Sequence, residues 1–280
     1  MTEIQLSTGI LVIGSLAWDT QGGRPDWRAK RLRESGNISC KVKVPIRYGR
    51  LSHAKTGKSD WGTYTMVFAR SVDCPVGDAK VFPCRSAVSK FEDLWLEAQW
   101  LWAAEDKNAN KELAANAPVA SPWGCVALLP NPALPKDAKK ATLDKALRQE
   151  WARRVENQNH YFDDCEARLL TGDGMLMVDW PQFDASECSS VPDLLLATTN
   201  TPCLNEQRQP CFPVVNTIVR AWYNDVPRAA TENRDPYVGY FWCNYHKGFR
   251  TFQDEDIKQS LNALASAVGD PGKCMPPQSR

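Results

Sequence analysis

The run Ile10-Leu-Val-Ile-Gly-Ser-Leu-Ala-Trp-Asp19 limits the architecture more than any other stretch of the chain. Four bulky apolar residues lead directly into Gly14-Ser15 and then break at Trp18-Asp19. A short apolar run stopped by a glycine turn reads as a buried strand ending at the edge of a sheet. Such a turn presents backbone amides and the Ser15 hydroxyl, enough to hold a small anion or a polarised carbonyl. The plainer alternative is a core strand followed by an ordinary glycine turn.

Whether a chain can enclose such a strand depends on its apolar content. Here 280 residues with 43% hydrophobic content are enough for a substantial core. Basic and acidic residues nearly balance, 34 against 33, which argues against nucleic acid as the defining partner. No apolar run approaches the length of a membrane span, and Met1-Thr-Glu-Ile-Gln lacks the basic and apolar regions of a secretory signal. Ten cysteines are scattered from Cys40 to Cys274 with no Cys-x-x-Cys pair, and the three histidines, His53, His160 and His246, are far apart. No local metal motif is present, no cofactor is expected, and reduced thiols in a cytoplasmic protein are the economical account. Eleven tryptophans point to large packing surfaces, with a pocket or a homodimer contact as further uses.

The pattern along the chain alternates strands and helices. Pro25 opens a basic helical stretch in which Arg24, Arg28 or Arg31 could meet a carboxylate near the Gly14-Ser15 turn. Ser39 to Ser52 alternates as a strand, with Pro45 expected at an edge or bulge and Gly49 at a bend or close approach. A polar loop from Ser52 to Asp60 leads to a strand over Trp61 to Arg70, and Val76 to Arg85 reads as another. Val88 to about Glu105 is the clearest helix, with Phe91, Leu94, Trp95, Ala98, Leu101 and Trp102 in one stripe. Asp106 to Pro122 is a polar excursion. Trp123 to Leu129 is a buried strand, Thr142 to about Tyr161 a helix, and Met175 to Trp180 and Leu194 to Asn200 further strands. Val214 to Tyr223 is expected to be helical, aromatic Tyr237 to His246 a strand or extended cover, and Thr251 onward a capped last helix. Together these predict one domain over residues 1–280: a core over about 9–130, an elaboration over about 140–268 and a disordered tail at 269–280.

The opening of the chain resembles the gamma-glutamylcyclotransferase-like family on Ile13-Gly14-Ser15-Leu16, followed by Trp18-Asp19 and by Tyr48-Gly49 with Leu51-Ser52. In that family a Tyr-Gly-Ser-Leu or Tyr-Gly-Ser-Asn signature closes the first strand of a small mixed barrel. The resemblance implies an α/β (α+β) fold with a mixed, partly closed sheet, flanking helices and C-terminal additions. It also implies metal-independent acyl transfer: the α-amine of a γ-glutamyl group attacks its own γ-carbonyl, releasing 5-oxoproline and an amine or amino acid. The substrate would be a small molecule with an amino-acid-like end. Amides at Gly14, Ser15 and Leu16 would hold the glutamyl end and the developing oxyanion, with Trp18 and Tyr48 lining the site. Arg47 or Arg50 would take the α-carboxylate. The acid/base, a glutamate late in a helix, would be Glu97 by order, with Glu105 second. Ile13 departs from the signature tyrosine and removes its hydroxyl.

Two other functions remain in view. Cys84, between a strand and a helix, could act as a nucleophile in an amide hydrolase with His53 or His246 as base. Alternatively the fold serves as a non-catalytic binding or assembly protein through its tryptophan-rich half. Gly22-Gly23 and Gly172-Asp-Gly174 lack the spacing that cradles a nucleotide phosphate.

Overall fold

In the computed structural model, described over residues 4–33, 39–53, 62–106, 117–184, 186, 188, 190–221 and 238–268, the apolar run becomes strand β1 (Thr8–Val12). Every residue of β1 is buried, as a run without polar alternation requires. It lies between two strands of opposite sense, antiparallel to β4 (Val76–Pro83) and parallel to β8 (Leu194–Asn200). Beyond β4 lies the long β2 (Cys40–His53), whose second half pairs with β3 (Gly62–Phe68). Beyond β8 lie β6 (Gly124–Pro130) and the two-residue β5 (Ala120–Ser121). The short β7 (Gln182–Phe183) pairs with β2 opposite Val42 and Lys43.

The order across the sheet is therefore β3-β2-β4-β1-β8-β6-β5. Its ends do not meet, which corrects the expected partly closed barrel to an open mixed sheet. Closure needs two edges long enough to share a ladder, and one edge here is only the two residues of β5. β2 is irregular at its middle. The register shifts between Tyr48 and Arg50, so Gly49 is the extra residue of a bulge. A Cβ there would sit 2.5 Å from Val67 Cγ2 and 3.0 Å from Phe212, the close approach that only glycine permits.

Among the described residues six α-helices accompany the sheet: α1 (Arg24–Arg31), α2 (Phe91–Glu105), α3 (Ala138–Glu156), α4 (215–221), α5 (Val238–His246) and α6 (Asp254–Val268). α2 is the central one. Asp93 accepts from the Ser89 and Lys90 amides at its start, and Leu94, Trp95, Ala98, Leu101 and Trp102 are buried in the core. The same buried cluster takes in residues from Leu6 to Leu261. Of the eleven tryptophans, Trp27, Trp102 and Trp151 are among its largest members.

Three local expectations are corrected. The aromatic run at 237–246 is helical over α5, because its rings meet at helical spacing. Phe241 and Tyr245 have centroids 5.6 Å apart, and Trp242 stacks on His246 at 5.8 Å. Met175–Trp180 forms no regular strand; only Met175 and Leu176 make bridges, to Leu128 and Leu170. α3 ends at Glu156, before Tyr161, and the chain passes into turns with left-handed His160, Asp164 and Leu169.

Cys40 and Cys188 form a disulfide, with Cα atoms 5.1 Å apart. This corrects the expectation of uniformly reduced thiols and removes the support that cysteine usage lent to a cytoplasmic setting. No helix among the described residues is long and apolar enough to cross a membrane. The expected tail at 269–280, most of the polar loop after Ser52 and residues 107–116 of the polar excursion lie outside the described residues.

Candidate active site

At the end of β1 the chain makes a single 3-10 turn, Ser15–Ala17, with Gly14 before it. The Ala17 amide donates to the Gly14 carbonyl (3.2 Å), and the Trp18 and Asp19 amides donate to the Ser15 carbonyl (3.1 and 2.8 Å). No side chain caps the start of this turn. Its first N–H groups, on Ser15 and Leu16, are thus left without an intrahelical partner. Leu16 itself is buried and anchors the turn in the core.

Three elements converge on this turn. From α1, Arg24 donates to Ser15 Oγ at 3.3 Å, forms an ion pair with Asp19, and reaches Glu105 Oε2 at 3.0 Å. Its Nε also donates to the Ala104 carbonyl. Arg28, one helical turn on, donates to the carbonyls of Leu16 (2.7 Å) and Asp19 (2.8 Å), closing the turn from outside. Burial lowers the pKa of Arg28, with the charge of Arg24 adding to the effect and Asp19 opposing it. From α2 comes Glu105, at the last helical position. The one hydrogen bond it accepts among the described residues falls on Oε2. From α5 come Tyr240 and Asn244. The Tyr240 hydroxyl sits 3.1 Å from where a Gly14 Cβ would lie, and Asn244 Oδ1 accepts from Trp18 Nε1 at 2.8 Å. Burial pushes the Tyr240 phenol up to about 12, with contacts to Asn244 and the Met66 backbone pulling the other way.

The sequence candidates separate clearly. Gly14, Ser15, Leu16, Trp18 and Glu105 come together. Arg50 joins them from β2: its guanidinium lies 4.4 Å from the Trp123 ring centroid and within electrostatic reach of Glu105 and Tyr240. It donates no hydrogen bond among the described residues. Desolvation lowers its pKa, and the nearby Glu105 is the largest influence restoring it. Trp123 is in turn stacked on Trp102 at 4.7 Å, which fixes the platform beneath Arg50.

Glu97 is elsewhere. It is 2% exposed and both its oxygens are held by Arg31, Oε2 at 3.2 Å from Nε. Burial raises its pKa and the Arg31 pairing opposes the rise. Arg47 rests on Phe212 (4.1 Å) and Phe252 (5.5 Å). Tyr48 is fully buried; desolvation first, then Asp254, drives its pKa well up. Cys84 is a buried core thiol whose pKa is driven well above its ordinary value by burial and then by Glu97, the opposite of what a nucleophile needs. His246 stacks on Trp242, and His53 ends β2, its side chain outside the described residues.

Sequence reasoning missed Tyr240 and Asn244. Their only local signal was an aromatic stretch that reads equally as a strand, and their partners lie more than two hundred residues away. Among the described residues no group of three or more His, Cys, Asp or Glu side chains could hold a metal ion. Comparison with protein-family models, curated proteins and solved structures finds no match.

Proposed function

We propose that the Gly14–Ser15 turn is the centre of a gamma-glutamylcyclotransferase-like acyl-transfer site with Glu105 as its acid/base. The observation carrying this reading is the Arg24 bridge, which ties the Glu105 carboxylate to the Ser15 hydroxyl and so to the strand end that resembles the family signature. Tyr240 supports it further. Its hydroxyl stands against Gly14, in a chain where Ile13 lacks the hydroxyl of the signature tyrosine.

In this reading Glu105 takes a proton from the substrate α-ammonium. The freed amine attacks its own γ-carbonyl, and the oxyanion forms against the Ser15 and Leu16 amides. Collapse of the tetrahedral adduct expels the leaving nitrogen, which receives the proton back from Glu105, and the ring nitrogen gives its second proton to the departing amine to leave the neutral lactam N–H. Arg50, over the Trp123 ring and without a hydrogen-bonded partner among the described residues, would take the α-carboxylate. The chemistry needs neither a protein nucleophile nor a redox step. Glu97 acts only as the buried counter-ion of Arg31.

The test is release of 5-oxoproline from a set of γ-glutamyl amines and dipeptides. Glu105→Gln is expected to lower the rate about 10²–10⁴-fold while the folded spectrum is retained. Glu97→Gln should instead weaken folding by about 2–3 kcal/mol, because it leaves Arg31 without its charge partner, and keep activity per folded molecule. Wild-type protein inert toward the whole set, or equal loss in both variants, overturns the proposal.

A further inference from the structure

Among the described cysteines outside the disulfide, Cys74, Cys84 and Cys125 are buried, and desolvation raises their pKa values, Cys74 to about 11 and Cys125 to about 12. Cys203 and Cys211 differ. The former is half-buried, the latter exposed, and they face one another across a small hairpin. Three observations fix that register: the Asn205 amide donates to the Gln209 carbonyl at 2.9 Å, Leu204 bridges Pro210, and the Cys211 amide donates to the Cys203 carbonyl at 2.7 Å. Asn205 Oδ1 accepts from the Gln209 amide at 2.8 Å and the Arg208 amide donates to the Asn205 carbonyl at 2.9 Å, so the tip is held closed.

Facing residues of a hydrogen-bonded antiparallel pair carry their side chains on the same side, with Cα atoms about 5.5 Å apart. That spacing falls inside the roughly 4.4–6.8 Å range that a disulfide bridges. Tyr64 on β3 lies within electrostatic reach of both thiols: burial raises its phenol first, and then Cys203 and Cys211 do. The hairpin is anchored, since the Cys203 amide donates to the Gly49 carbonyl at 2.7 Å, at the bulge that carries Arg50.

We propose that Cys203 and Cys211 form a reactive dithiol site whose co-reactant is a low-molecular-weight disulfide. The exposed Cys211 loses its proton to solvent and attacks one sulfur of the small disulfide, whose S–S bond breaks and releases one small thiol. Cys203 then loses its proton and attacks Sγ of Cys211, expelling the second small thiol. Two protein thiols are oxidised to one disulfide, and the small disulfide is reduced to two thiols. The product staples the hairpin to itself beside Gly49 and Arg50. This inference stands apart from the acyl-transfer reading and survives its failure.

The full-length protein is incubated with oxidised glutathione, quenched by alkylation, and digested without reductant for mass spectrometry. The segment holding both cysteines should be lighter by two hydrogens and carry no glutathione, and Cys211 should react about tenfold or more faster than Cys84. Cys203→Ser should trap glutathione on Cys211 as a stable mixed disulfide. Separate glutathione adducts on both thiols, pairing of either with Cys165 or Cys243, or survival of both as thiols overturns the proposal.

Discussion

Arg168 is 1% exposed and has no carboxylate partner among the described residues. Its guanidinium is instead divided among oxygens from distant parts of the chain: Thr201 Oγ1 at 2.7 Å and the carbonyls of His160 (2.8 Å), Tyr161 (3.5 Å), Ser121 (3.3 Å) and Pro122 (2.6 Å). A planar fork with five N–H donors suits this task, and an ammonium does not. Arg168→Met keeps much of the apolar stem but strands these acceptors, so a loss of about 2–4 kcal/mol is expected by urea unfolding. Arg168→Lys should recover less than half of that loss. Full recovery would show that charge alone, rather than the fork, is needed. Nothing in the sequence distinguishes Arg168 from a solvated arginine, because its partners sit on segments up to 47 residues away. Gly14 and Ser15 were legible for the opposite reason: a strand stop is written in adjacent residues.

At the scale of elements, α6 begins on a charged group kept out of water. Asp254 accepts from the Thr251 amide at 3.1 Å and from its hydroxyl, which caps the helix. Burial raises its carboxyl to about 6, against hydrogen bonds from Thr251 and the charge of Arg250, which pull it down. An unfolded chain releases that proton near pH 4, the folded chain near pH 6. Between those values the folded state binds more protons, so this group's contribution makes stability fall as pH rises through the window. Against Asp254→Asn, wild type should therefore gain on the order of 2 kcal/mol as pH drops from 7 to 4. Denaturation curves at several pH values check it, and a flat difference would refute it. α5 shows where reading by element fails. Aromatic residues favour strands when counted singly, yet Phe241, Trp242, Tyr245 and His246 stabilise one another at the i, i+3 and i, i+4 steps of a helix. α2 was legible because its stripe is longer and unbroken.

The whole molecule is cross-linked once among the described residues, between Cys40 at the start of β2 and Cys188 beyond β7, 148 residues apart. A loop of that length constrains the unfolded chain strongly, and about 2–4 kcal/mol of stability should vanish on reduction. Cys40→Ser should match the reduced wild type in guanidinium unfolding. A midpoint indifferent to reductant would show that the bond contributes nothing. Sheet order was illegible from local pattern, because each strand run names its own conformation but not its neighbour. The parallel partnership of β1 with β8 has a further consequence, one of timing. A nascent chain emerging from the ribosome presents β1 long before β8 exists, and α5 later still. Strand β1 must wait, paired at most with β4, until the segment holding β8 has been made. Contacts so distant in sequence make folding slow and leave early segments open to aggregation or chaperone capture. The Gly14 turn, translated before its partners on α2 and α5, is among the last places to be finished.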